Sequence, residues 1–125
     1  MTNIVITELI DSYVKFTSPL GHGMASWSGD MPVVGCNYNV EIDIDEHLEF
    51  GENLFSSGGN VSSVSVVNKK ITFVAEVISY EDDGVLTVSL GGDIIFLEVS
   101  LPSVINGYVE FLTSPDKVYL YPVDL

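Results

Sequence analysis

Tyr38-Asn-Val-Glu-Ile-Asp-Ile-Asp-Glu-His-Leu-Glu-Phe50 is the stretch whose reading decides the fold class. Even positions carry Val40, Ile42, Ile44, Leu48 and Phe50, with Glu46 the exception. Odd positions carry Glu41, Asp43, Asp45, His47 and Glu49. Side chains alternate faces along a strand, so this period of two predicts an aliphatic face backed by a carboxylate face. Gly51 then ends or kinks the strand.

The same signature extends toward the C-terminus. Residues 71–80 and 85–90 read as a hairpin, because Glu81-Asp82-Asp83-Gly84 joins them and Asp-Gly is a strong turn signal. Gly91-Gly92-Asp93 turns the chain into Ile94–Val99, which completes a three-stranded meander, and Pro102 stops it. Asn106-Gly107 opens a further pair at roughly 108–113 and 117–122, separated by Ser114-Pro115-Asp116. Ser-Ser-Gly-Gly-Asn-Val-Ser-Ser at 56–63 reads as a flexible loop.

Toward the N-terminus the pattern is less regular. Residues 4–16 are rich in β-branched and aromatic side chains, with a short helix at 7–14 as the alternative. Residues 18–36 carry Pro19, Gly21, Gly23, Gly29, Pro32 and Gly35, and read as irregular structure around Trp27. The expected architecture is all-β. It is one domain over 1–125, a single small antiparallel barrel (OB-like) or sandwich of about seven strands. Residues 1–34 would supply an N-terminal strand plus an irregular segment.

Composition limits the function. The 125 residues hold 18 Asp+Glu against 4 Lys+Arg, a formal net charge of −14. The cations are Lys15, Lys69, Lys70 and Lys117, with no arginine. Nucleic-acid binding needs a cationic footprint, and an anionic lipid surface repels such a chain. No nucleic acid and no membrane are therefore expected as partners. Yet 46% of residues are hydrophobic and mean hydropathy is +0.36. That separates the chain from disordered acidic sequences. Glu8 and Asp11 interrupt the first apolar stretch, and no cationic segment precedes it, so no secretory signal is read. The single Cys36 forms no internal disulfide, and a cytoplasmic location is the expectation.

The acidic residues are concentrated. Glu41, Asp43, Asp45, Glu46, Glu49 and Glu52 fall within twelve positions, and Glu81-Asp82-Asp83 add a second cluster. Same-face neighbours on a strand lie about 7 Å apart. Two like charges at that distance repel by roughly 0.6 kcal/mol in water and ~2.4 kcal/mol at an effective dielectric of 20. A sequence selected for stability alone would intersperse lysines, yet none stands between Lys15 and Lys69. The ladder serves solubility on its own account. It also suits a surface that meets a cationic partner.

Other chemistries fit poorly. Asp43-Ile-Asp45-Glu46-His47 begins like a calcium loop, but the sixth position is Leu48 instead of the glycine needed for the turn. His22, His47 and Cys36 are too scattered for a zinc site, so no metal and no cofactor are expected. His22 lies between two glycines, and no G-x-S-x-G elbow occurs. An enzyme is not expected. The aromatics read as core or as interface anchors.

Tyr38-Asn-Val-Glu-Ile-Asp-Ile-Asp, Leu48-Glu-Phe-Gly51, the Glu81–Gly84 turn and the closing Leu120-Tyr-Pro-Val-Asp-Leu125 resemble a group of small acidic bacterial β-proteins with OB-type barrels. The resemblance covers roughly 35–125. Some proteins of this sort are immunity proteins of contact-dependent or other polymorphic toxin systems. The resemblance thus implies a stoichiometric inhibitor of a basic protein toxin, a nuclease above all. Asp43, Asp45, Glu46 and Glu49, then Glu81, Asp82 and Asp83, are the expected partner-binding residues. The alternative is an OB-like adaptor module that docks a neighbouring protein through Met24, Trp27 and Met31.

Overall fold

The computed structural model describes residues 1–81, 83–100 and 105–123. They form twelve strands. The first four are β1 (Thr2–Ile10), β2 (Tyr13–Ser18), β3 (Gly21–Trp27) and β4 (Asn37–Ile44). Next come β5 (His47–Glu49), β6 (Leu54–Ser57), β7 (Ser63–Val67) and β8 (Lys70–Tyr80). The last are β9 (Val85–Leu90), β10 (Asp93–Ser100), β11 (Tyr108–Thr113) and β12 (Val118–Pro122).

Five of these strands close a small barrel in the order β1-β2-β3-β12-β4 and back to β1. All its pairs are antiparallel except β3–β12, where Tyr119 pairs Ser26 and Leu120 pairs Trp27 in parallel. The small closed β-barrel expected is present, but with one parallel seam where antiparallel pairing was expected and with twelve strands in all among the described residues instead of about seven. Its inner residues include Ile4, Ile6, Val14, Phe16, Val40, Ile44, Val118 and Leu120, all buried. The alternation read in the sequence holds on β4: Val40 and Ile44 point in, while Glu41 and Asp43 are exposed.

The barrel strands are not those the sequence suggested. Residues 1–34 supply three of the five barrel strands, and not one strand followed by an irregular segment. Residues 4–16 form a hairpin, not a helix, with its turn at Asp11 in the left-handed region (φ 51). Gly21 and Gly23 belong to β3 and do not break it. The Phe16 ring lies where a side chain on Gly23 would sit, and the Val64 carbonyl occupies the same place at Gly21. Both glycines permit close approach, one of a ring and one of a neighbouring strand.

All twelve strands belong to one continuous sheet, and the Gly21–Val64 pairing carries it from the barrel into a second, open portion, the second sheet of the fold. In that sheet β8 is central. It pairs β11 along one edge and β7 then β9 along the other, and β10 and β5 continue beyond β9. The expected 71–80/85–90/94–99 meander is β8–β9–β10, but it lies outside the barrel. Phe73 and Phe111, both fully buried, stack at a 5.1 Å centroid separation in its core. Strands 108–113 and 118–122 do not pair with each other as expected. A 3-10 turn at Pro115–Lys117 separates them, so β11 stays in the second sheet and β12 returns to the barrel. The predicted loop at 56–63 is shorter, with β6 and β7 at its ends. The Pro102 stop lies outside the described residues.

The 38–50 stretch is a strand, a bend at Asp45-Glu46 and a second short strand. β4 belongs to the barrel, whereas β5 pairs in parallel with β10 of the second sheet. The acidic segment is therefore the crossover between the two halves.

Candidate functional site

An acidic groove runs between the barrel and the second sheet. Its barrel wall is the outer face of β4, where Glu41 and Asp43 are exposed, continued by Asp45 in the bend. Tyr121 stands opposite Glu41 on β12 and is itself exposed. The other wall is β10. Ile95, Leu97 and Val99 turn inward, so Ile94, Phe96 and Glu98 face out. Ile94 is 53% and Phe96 64% exposed, values that leave the β10 rim apolar and uncovered.

Two adjoining clefts make up the groove. The larger, about 510 Å³, lies among Met1, Glu41, Ile42, Asp43, Asp93, Ile94, Ile95, Phe96 and Tyr121. The smaller, about 320 Å³, lies among Asp43, Ile44, Asp45, Glu46, Val85, Phe96, Leu97 and Glu98. Asp43 and Phe96 belong to both. None of the four lysines lines either cleft.

Some of these carboxylates are held by the protein itself. Asp93 accepts from the Thr2 hydroxyl and the terminal ammonium of Met1, which ties β1 to β10. Glu46 accepts from the hydroxyl of buried Thr113 and is half-buried. Glu41, Asp43, Asp45 and Glu98 form no ion pair among the described residues; the only side-chain pair there joins Lys15 to Glu8 at 3.6 Å. Solvation of an outer face explains carboxylates on β4. It does not explain Phe96 and Ile94 left exposed on β10 opposite that acidic wall.

The expected site residues therefore divide. Asp43, Asp45 and Glu46 come together in the groove. Glu49, exposed on β5, stands opposite Ser100 beyond the end of the lining. Glu81 and Asp83 are exposed on the turn leading into Val85, whose amide donates to the Asp83 carboxylate at 3.1 Å. Val85 pairs Glu98, so this turn flanks the smaller cleft. Asp82 lies outside the described residues. Sequence reasoning missed Ile94, Phe96, Glu98 and Tyr121. A signal existed for β10: Ile94-Ile95-Phe96-Leu97 is apolar at both parities, unlike an ordinary half-exposed strand.

The remaining candidates are occupied by structural duties. Trp27 donates through Nε1 to the Asp30 carbonyl at 2.7 Å and meets Tyr38 edge-on at 5.1 Å. The Tyr38 hydroxyl accepts from the Val33 amide. Trp27 thus braces the 28–36 loop, and Met24 packs against the core. Only Met31 of the adaptor trio is broadly exposed, beside Val33 and Val34. His47 Nε2 lies 2.8 Å from Ser100 Oγ, but both are exposed and neither lines a groove wall. Among the described residues no group of three His, Cys, Asp or Glu is placed to hold a metal ion. None of their helices is long and apolar enough to cross a membrane.

Comparison with protein-family models, with curated proteins and with solved structures finds no match to this chain.

Proposed function

We propose that this chain is a stoichiometric inhibitor of a cationic protein, of the immunity-protein kind, and that the β4–β10 groove is its binding face. The observation that carries the reading is the pairing of unneutralised carboxylates on β4 with exposed Phe96 and Ile94 on β10. Acidic walls steer a basic partner and occupy positions where it would hold phosphate. A nuclease that grips a nucleic-acid backbone presents such a basic surface. The exposed ring supplies the anchor that charge alone lacks, since a few aromatic contacts dominate most interfaces. Complementary charge then sets the rate of encounter and the choice of partner, while the anchor sets how long the complex lasts.

The test is co-purification with the product of the gene immediately upstream, in low and high salt. Binding that weakens with salt and is lost in Asp43→Lys/Asp45→Lys supports the reading. Binding indifferent to both overturns it.

A second reading, an adaptor docking a neighbouring protein, is favoured by exposed Met31, Val33 and Val34 on one loop. Removing 1–34 would not test it, because three barrel strands would go too. Met31→Asp tests it instead: partner capture lost here, and kept in the charge-reversed variant, selects the adaptor.

A further inference from the structure

We infer that the groove takes its partner as an added β-strand: an extended cationic segment pairs with the free edge of β10. This rests on the groove being the binding face and goes beyond it by specifying the mode of recognition.

β10 has β9 along one edge from Asp93 to Glu98. On its other edge β5 covers only Glu98–Ser100. Among the described residues no strand pairs with that edge at 93–97. The direction of the free backbone groups follows from one hydrogen bond. The Val99 amide donates to the Gly84 carbonyl at 2.9 Å, on the β9 side. Backbone groups alternate edges along a strand, so those of Leu97, Ile95 and Asp93 also point to β9. Those of Ile94 and Phe96 then point the opposite way, toward the groove.

An unpaired edge of this kind templates strand addition, and proteins usually blunt it with lysine, proline or a bulge. Here there is no lysine or proline, and the register of β10 with β9 is unbroken. Asp93 and Glu98 mark its ends, roughly 17 Å apart at strand rise. β5 begins at Glu98 and sets the far limit, so the unpaired stretch is five residues long, 93–97. Met1 and Thr2 bond Asp93 at its near end, and β4 lies close enough to part of this edge that it must move aside to admit the strand. Glu41 and Asp43 face the edge across the groove. This charge excludes a second copy of the chain, which would bring another −14 to the same edge. It selects a segment of Lys or Arg alternating with apolar residues, one of which covers Phe96.

The experiment titrates the capped peptide Lys-Val-Lys-Val-Lys into 15N-labelled protein, alongside the same peptide N-methylated along its backbone. Methylation keeps the charge and removes the donors. We expect the largest shifts at the Ile94 and Phe96 amides, and at least tenfold weaker binding of the methylated peptide. Phe96→Pro deletes an amide that serves no β9 bond and should bind the unmodified peptide at least tenfold more weakly than Phe96→Ala, which loses the same ring but keeps the amide. If Phe96→Pro fails to fold, the two peptides on the unaltered chain decide alone. Equal binding of both peptides overturns strand addition while leaving an electrostatic groove intact. Binding of neither overturns it too, and the proposed function then stands or falls on co-purification. Shifts at the same amides that depend on protein concentration, without peptide, assign the edge to self-association and overturn the inference.

Discussion

Asp43 on β4 and Phe96 on β10 face one groove from opposite walls and are the two residues common to both of its clefts. They are 53 positions apart in sequence and belong to different halves of the fold. A carboxylate and an exposed ring held this way offer a cationic partner both an attraction and an anchor.

Phe96 should matter to binding and little to folding. It is 64% exposed, so Phe96→Ala should change unfolding free energy by no more than about 0.5 kcal/mol. The fully buried Phe73 provides the contrast, since Phe73→Ala should cost about 3–5 kcal/mol. Urea unfolding of the two variants checks this. A large loss in Phe96→Ala would mean the ring is part of the core in solution.

Charge reversal at Asp43 should stabilise the isolated protein. Asp43 shares the groove with Glu41 and Asp45 and with no lysine, and the one cation there, the Met1 ammonium, is held by Asp93. Asp43→Lys turns two repulsions into attractions, for a gain of about 0.5–1 kcal/mol at low ionic strength. The gain should shrink toward zero near 1 M salt, where the Debye length is about 3 Å. Thermal melts in low and high salt measure it. A destabilised variant would show that the carboxylate has a structural partner.

The sequence makes part of this arrangement legible. Strict alternation exposes the β4 ladder, and two Gly-containing turns delimit the β8–β9–β10 meander. The N-terminal barrel strands are hidden because glycine signals both a break and a close approach. Gly21 and Gly23 serve the second purpose, which only Phe16 and Val64 reveal. The neighbours β11 and β12 look like a hairpin, but the 3-10 turn at Pro115 sends them to different sheets. For the site, carboxylate density found one wall. The other comes from a strand that long-range pairing alone brings near.

Gly21 should be the most sensitive position at the junction of the two halves. Its φ of +130 lies outside what other residues readily adopt, and a Cβ would overlap the Val64 carbonyl oxygen. Backbone cannot yield there as a side chain could. Gly21→Ala should therefore cost about 3 kcal/mol, the upper range for overpacking. Hydrogen exchange should show the Val64 amide, which donates to the Leu20 carbonyl at 2.9 Å, losing protection first. Unchanged exchange at Val64 would contradict this account of the glycine.

Asp116, on the 3-10 turn that steers β12 back to the barrel, should show how a local contact is read in pH. The Ser114 hydroxyl is the main influence holding its carboxyl below the ordinary value of 3.8, helped by its own backbone amide, Lys117 and Lys70 and opposed by desolvation. A depressed folded pKa means the contact favours the charged form. Its stabilisation is therefore complete above the unfolded value and is lost as pH falls through the folded one. Ser114→Ala should raise the Asp116 midpoint toward 3.8 in a carboxyl NMR titration, with Asp116→Asn removing the signal as the assignment control. At neutral pH the carboxyl stays ionised in both proteins, so any change in its titration appears only in acid. A midpoint unmoved by Ser114→Ala would shift the main cause to the neighbouring lysines, and the depression should then diminish in high salt.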